Sequence, residues 1–293
     1  MKNDQPKFSK LDKRIGTLGK GISGQVDLYE TKNKFGYAVK VYYPKENYES
    51  NKEFKIRVLH EYNILSKLDH CNIIKQYKYD VSLLGSTIKL YMPVGSPHLY
   101  KLVRNRNNLE QDELLCIWKQ LCQGIKYLHS VNICHRDIKL ENIIFDSEYK
   151  LIKIIDFATA QEVAPDTLSI GLVGSENYAA PETFTSLKYD GKASDIWSLG
   201  IILYYLINKK LPWKSAQWND LDFKQYQTAL NEESSNTILF NLGLDAIKES
   251  QLLQPDPNKR VSIFDFDYFS WFENIRFCNS IHSCGYNHNQ TFK

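Results

Sequence analysis

His135-Arg136-Asp137-Ile138-Lys139-Leu140-Glu141-Asn142, followed fourteen positions after Asn142 by Asp156-Phe157-Ala158, is where a reading of this chain takes hold. These two segments hold one carboxylate able to accept a hydroxyl proton, Asp137, and two oxygen donors suited to a hard cation such as Mg2+, Asn142 and Asp156. Lys139 lies two residues past the acid and can neutralise charge beside it. Any one of these residues alone is more simply a capped turn or a surface carboxylate. The whole string at these spacings is not.

Toward the N-terminus the pattern alternates with a period of two. Residues 25–31 and 37–42 read as strands around a turn at 33–36, and the pleat puts Ala38 and Lys40 on one face. Residues 54–68 have helical spacing and carry Glu61. Residues 73–92 read as two further strands with a turn at Leu84-Gly85-Ser86. Pro93, Gly95, Ser96 and Pro97 then break the pattern. Beyond them Leu114, Leu115, Trp118, Leu121, Cys122, Ile125 and Leu128 recur at helical steps, with Asp112 as a plausible cap, and another helix is expected from about 193 to 206.

The His135–Asn142 string, Asp156-Phe157, and Gly174-Ser175-Glu176-Asn177-Tyr178-Ala179-Ala180-Pro181-Glu182 together resemble the eukaryotic protein kinase catalytic domain. So does Gly19-Lys20-Gly21-Ile22-Ser23-Gly24-Gln25-Val26, a G-x-G-x-x-G-x-V loop that leads into a strand and not a helix. The resemblance covers about residues 12–275. It implies an α+β, bilobal fold: a small antiparallel-sheet lobe with one main helix (12–92), a hinge (93–97) and a larger helical lobe (98–275), with short tails at 1–11 and 276–293.

The resemblance also assigns roles. Asp137 and Lys139 are the catalytic pair of phosphoryl transfer from ATP, and Asn142 and Asp156 hold Mg2+, or Mn2+ in its place. Leu18, Gly19, Lys20, Gly21, Ile22, Ser23, Gly24, Gln25 and Val26 cover the nucleotide, with Val26 and Ala38 forming an apolar roof over adenine. Lys40 faces the phosphates and pairs with Glu61, with Glu53 as the rival partner. Met92 guards the back pocket, with Tyr91 second, and Pro93 stands where the family usually has an acid. His135, Asp195 and an ion pair of Glu182 with Arg260 are structural.

Lys139 and Ser175 favour a Ser/Thr acceptor on protein substrates, and Glu141 could favour a basic residue near it. Arg136 points to regulation by activation-loop phosphate, with Thr167 and Ser169 as candidate acceptors. The departure is Ala158, where the family nearly always has Gly. It leaves a second reading open, a nucleotide-gated scaffold without turnover. A small-molecule kinase is a third, against which the Ala-Pro-Glu segment and Arg260 argue. Gly171-Leu172-Val173-Gly174-Ser175, Leu211-Pro212-Trp213-Lys214-Ser215-Ala216 and the extended region 42–55 resemble fungal kinases that regulate nutrient permeases and salt tolerance.

Composition is consistent with this. Apolar residues at 43% and charged residues at 24% are ordinary for a globular chain of 293 residues. A net charge of +3 without a long basic run calls for no nucleic acid. The longest apolar stretch, 199–207, is too short to span a bilayer, and no leader or lipidation pattern is seen, so a cytoplasmic or nuclear protein is expected. The six cysteines are dispersed, which argues against a disulfide framework. Cys116 and Cys122 read as small core groups. Cys278, His282, Cys284 and His288 make a zinc site conceivable, but their spacing matches no common finger, and the polar tail from 276 reads as mobile. Substrate, activator and oligomeric state are not legible.

Overall fold

The computed structural model describes residues 7–9, 11–21, 23–83, 85–106, 109–164, 167–231 and 251–292. Ile22 and Leu84 fall outside these residues. The N-terminal part is a five-stranded antiparallel sheet in the order β1-β2-β3-β5-β4, built from β1 (Lys13–Lys20), β2 (Gly24–Glu30), β3 (Gly36–Tyr42), β4 (Lys78–Val81) and β5 (Ile88–Pro93). Gly24 begins β2 where no side chain fits, because a Cβ there would meet the Val41 carbonyl oxygen at 2.4 Å.

Helix α1 (Asn51–Leu65) starts earlier than its apolar spacing indicates. The reason is a capping box: the Ser50 hydroxyl accepts from Glu53 N–H, and the Glu53 carboxylate accepts from Ser50 N–H. That use also removes Glu53 as a partner for Lys40. Phe54, Val58, Glu61 and Leu65 follow at steps of four, three and four, so one face is buried and carries Glu61 with it.

The C-terminal part is helical. α2 (Leu99–Arg104) leads to α3 (Gln111–Ser130), whose N-cap is Glu110 and not Asp112. Asp112 lies inside the first turn, where a carboxylate favours the helix dipole without capping it. After the short α4 (Pro181–Thr185) comes α5 (Gly191–Asn208), capped by the Asp190 side chain and buried almost throughout. α6 (Leu221–Asn231) follows. Trp118 on α3 is fully buried and donates its indole N–H to the Leu199 carbonyl at 3.0 Å, which locks α3 against α5.

Two short antiparallel strand pairs carry the segments with which the sequence reading began. β6 (Ile133–Cys134) pairs with β9 (Gln161–Glu162), and β7 (Ile143–Phe145) pairs with β8 (Ile152–Ile154). Residues 135–142 therefore run from β6 to β7, and residues 156–158 follow β8. The pairing fixes the two loops side by side, with Ile155 N–H donating to the Asn142 carbonyl at 3.0 Å. Among the described residues no helix is long and apolar enough to cross a membrane.

The tail departs from expectation. Residues 276–292 are not loose but lie against α3, with Cys278, Cys284, His288 and Phe292 all buried. Phe292 packs on Phe145 with ring centroids 5.3 Å apart. The segment is polar on average, but Cys278, Cys284, His288 and Phe292 are spaced so that these four reach the core side.

Candidate active site

The sheet register decides what faces the cleft. Directly paired residues share a face of an antiparallel pair. Val26 pairs with Lys40, Lys40 with Leu90, and Ala38 with Met92, so Val26, Ala38 and Met92 share the face of the lysine. Tyr91 pairs with Val39 on the opposite face and stacks on Tyr37 at 6.0 Å. Met92 thus shares the face of Lys40, and Tyr91 does not. Gln25 is corrected in the same way: its side chain is spent on the outer face, donating to Asp27 at 2.8 Å. Only the backbone of Gln25 remains available to the loop. Leu18, Gly19, Lys20 and Gly21 are exposed at the rim, and Ser23 is half-buried beside them. Gly21 N–H donates to the Gly24 carbonyl at 2.9 Å, closing the turn.

Lys40 is buried and reaches both Glu61 at 2.7 Å and Asp156 at 2.9 Å. Burial pulls its ammonium down, but the two carboxylates outweigh burial and hold it above the ordinary lysine range. The Asp156 carboxyl is pushed up by burial, yet Lys40, through its charge and its hydrogen bond, with Lys139 behind it, brings it below the usual carboxylate range. Asp156 has φ of +63°, an uncommon backbone for a non-glycine residue. The buried Phe157 beside it, 4.8 Å from His135, helps to hold it there. Ala158 shows no positive φ, so its Cβ carries no backbone strain.

The Asp137 carboxylate is held by three groups: Lys139 Nζ at 2.7 Å, the Ser175 hydroxyl at 2.9 Å and the Asn142 amide at 3.1 Å. Lys139 also donates to Ser175 Oγ at 2.7 Å. His135 is fully buried; its Nδ1 accepts from Asp137 N–H, so Nε2 carries the proton and donates to the Ile155 carbonyl at 3.2 Å. Asp195, from α5 beneath, accepts from the backbone N–H of His135 at 2.9 Å and of Arg136 at 2.8 Å. That clamp fixes Arg136 at φ of +65°. Glu182 and Arg260 form a bidentate pair at 2.7 and 3.1 Å, and Arg260 also donates to the carbonyls of Ala193 and Gln254.

The activation segment gives one correction. Ser169 lies in β10 (Ser169–Ile170), paired with β11 (Lys188–Tyr189), and its hydroxyl is buried with no hydrogen-bond partner among the described residues. A Cβ on Gly191 would come within 2.3 Å of that hydroxyl, so the packing leaves no room for a phosphate. Thr167 is exposed and stays sterically available. Arg136 donates to the carbonyls of Thr159 at 2.8 Å and Ile170 at 2.7 Å, tying the segment to the catalytic loop directly.

Three contributors escaped the sequence reading. The Tyr42 hydroxyl donates to Glu61 at 2.7 Å; the only signal was its place two residues beyond Lys40, on the same pleat face. His60 Nε2 donates to the Ala160 carbonyl at 2.7 Å and binds α1 to the segment after Asp156. Ser96 bonds Phe145 twice, through its own N–H at 2.9 Å and its hydroxyl at 2.8 Å. No side-chain pattern announces either of the last two.

This geometry agrees with what comparison with known proteins shows. The chain matches the protein kinase domain family over residues 13–272, and it belongs to that family. It is 32% identical over 278 residues to the probable serine/threonine-protein kinase RTK1 of Saccharomyces cerevisiae, covering 89% of this chain and 44% of that one. It is 33% identical to the nitrogen permease reactivator protein of the same yeast, over 79% of this chain and 30% of that one. With the human testis-specific serine/threonine-protein kinase 1 it shares 30% identity, over 87% of this chain and 70% of that one. The chain thus spans less than half the length of the two yeast relatives.

Proposed function

We propose that this chain is an active protein serine/threonine kinase that transfers the terminal phosphoryl group of ATP to a Ser or Thr hydroxyl of protein substrates. The observation that carries the proposal is the unbroken chain of contacts Tyr42–Glu61–Lys40–Asp156 across the cleft, with Asp137 held ready beside it. Lys40, kept cationic by two carboxylates, is the group to meet the phosphates. Asp137 accepts the hydroxyl proton as the acceptor oxygen bonds to phosphorus and the bond to the departing ADP oxygen breaks. Lys139 bridges Asp137 and Ser175, so it orients the base and offsets charge near the acceptor.

The donor set suits a hard cation. Asn142 spends its amide nitrogen on Asp137, and Asp156 spends one oxygen on Lys40, which leaves one amide oxygen and one carboxylate oxygen from adjacent loops. Mg2+, or Mn2+, held there would neutralise the phosphate charge. The Lys139–Ser175 contact supports Ser/Thr over Tyr as acceptor. Six free cysteines fit a reducing compartment, the cytoplasm or nucleus. A link to nutrient transport rests on the name of one yeast relative. The strain-free backbone at Ala158 removes the main support for the scaffold reading.

The test is transfer from ATP·Mg to a degenerate Ser/Thr/Tyr peptide library, with Asp137→Asn as comparison. Transfer to Ser/Thr peptides that drops about 10²–10⁴-fold in the variant is expected. Unaltered transfer in the variant would remove Asp137 as base, and nucleotide binding without turnover in the native protein would favour the scaffold.

A further inference from the structure

Away from the cleft, four soft donors meet under the tail. Cys116 comes from α3, and Cys278, Cys284 and His288 come from the C-terminal tail. All four are buried, and their donor atoms lie within 4.8 Å of one another. From these we infer a structural zinc site of the Cys3His type that fastens the C-terminal tail to α3.

The distances fit. With Zn–S near ~2.3 Å and Zn–N near ~2.05 Å, a tetrahedron has S···S edges of about 3.8 Å and S···N edges of about 3.6 Å. Cys278 and Cys284 sulfurs are 3.5 Å apart, and His288 Nε2 is 3.6, 3.6 and 3.4 Å from the sulfurs of Cys116, Cys278 and Cys284.

The orientation of the histidine fits as well. His288 Nδ1 faces the buried Glu113 carboxylate at 2.6 Å and donates its proton there. Nε2 is then left with a lone pair aimed at the three sulfurs. A carboxylate that fixes the tautomer of a ligating imidazole in this way is the common outer partner of protein zinc.

The sulfurs themselves are surrounded by donors. Backbone N–H groups of Cys278, Cys284 and Tyr286 point at Cys116, Cys278 and Cys284 at 3.3, 3.3 and 3.4 Å, and the Gln120 amide points at Cys116 at 3.5 Å. N–H groups directed at sulfur stabilise thiolate, the form that binds metal. Four N and S donors converging with no water-facing position describe a closed zinc site and suit neither magnesium nor calcium.

The sequence alone pointed to a different set. His282 is exposed and takes no part; its place is filled by Cys116, which lies 162 residues before Cys278. The tail is guided to the site by Lys119, whose ammonium caps the carbonyls of Phe272, Glu273 and Ile275 at 2.7, 3.0 and 3.0 Å. Beyond it, His288 and Phe292 rest on Phe145, the residue whose backbone also holds Ser96 of the hinge. The metal therefore secures the strand that supports the hinge from behind.

The test uses the full chain, purified without chelator or added metal, with zinc measured by plasma mass spectrometry. About one zinc per chain is expected, unchanged in His282→Ala and lost in the double variant Cys278→Ser, Cys284→Ser. Chelation should lower the Tm of the native protein by roughly 5–10 °C, and zinc should restore it. Should the double variant not fold, Co2+ titration of the metal-stripped native protein decides: a tetrahedral visible spectrum with thiolate charge-transfer bands supports the site. A native protein without zinc and with no cobalt spectrum, a Cys278–Cys284 disulfide in the purified chain, zinc retained by the double variant, or zinc lost in His282→Ala would each overturn the assignment.

Discussion

Replacing Lys40 with methionine isolates the contact on which the cleft depends. The ammonium is 2.7 Å from Glu61 and 2.9 Å from Asp156, and its side chain is 8% exposed. At an effective dielectric of about 20 the Glu61 pair is worth roughly 6 kcal/mol of Coulomb attraction, before a desolvation cost of several kcal/mol per ion. The Asp156 pair counts for less, because that side chain is 38% exposed and screened. Methionine fills much of the same volume but leaves the Glu61 carboxylate buried, with Tyr42 as its one remaining close donor among the described residues. Breaking a buried pair from one side costs about 3–5 kcal/mol, which for a chain of this size lowers Tm by roughly 10 °C.

The pH dependence gives the sharper check. In the native protein the Asp156 carboxyl sits below its unfolded value, so its stabilisation is present above the unfolded range near ~3.9 and is lost as pH falls through the still lower folded value. In Lys40→Met the sign reverses. Without the ammonium, burial raises the Asp156 carboxyl, the penalty is present at neutral pH, and it shrinks as pH falls through the raised value. Thermal unfolding of both proteins between pH 5 and 8, with phosphoryl transfer measured in parallel, follows this directly. A variant of native stability at pH 7.5, or a penalty that does not shrink on acidification, would refute the reasoning.

Tyr42→Phe removes one charge-assisted hydrogen bond to Glu61 and is expected to lower kcat/KM about 10-fold with the fold intact; unchanged kinetics would make Tyr42 a packing residue only. Gly24→Ala drives a Cβ to 2.4 Å from the Val41 carbonyl and should destabilise by about 2–4 kcal/mol in urea unfolding. Gly21→Ala, with its nearest neighbour at 3.9 Å, should leave unfolding unchanged and slow transfer alone, so equal stability losses in the two would count against the loop geometry. Arg260→Met should cost about 3–5 kcal/mol, and adding Glu182→Leu should recover part of it, because the second change removes the orphaned carboxylate. A double-mutant cycle showing simple additivity would mean that the pair is not coupled.

The catalytic loop was legible because its chemistry is contiguous. Asp137, Lys139 and Asn142 span six residues, and short loops bring such neighbours together in few ways. The pairing of Lys40 with Glu61 was legible by resemblance, and Glu53 was dismissed in space by its cap to Ser50. Ser169 and Thr167 looked alike as polar residues of one segment; pairing of β10 with β11 buries one and leaves the other exposed. Gln25 read as part of the glycine loop until the register turned its side chain outward to Asp27.

The order of residues by itself pointed to the two-part fold and, by resemblance to a known family, to the residues proposed for phosphoryl transfer, because that resemblance rests on motifs a few residues long. The tertiary structure alone decided which long-separated side chains meet: Tyr42 with Glu61, Arg136 with Ile170, and Cys116 with Cys278, Cys284 and His288. Such contacts are set by how helices and strands pack after they form. One thiol inside α3 has the same local pattern whether it faces other apolar groups or three partners from the far end of the chain.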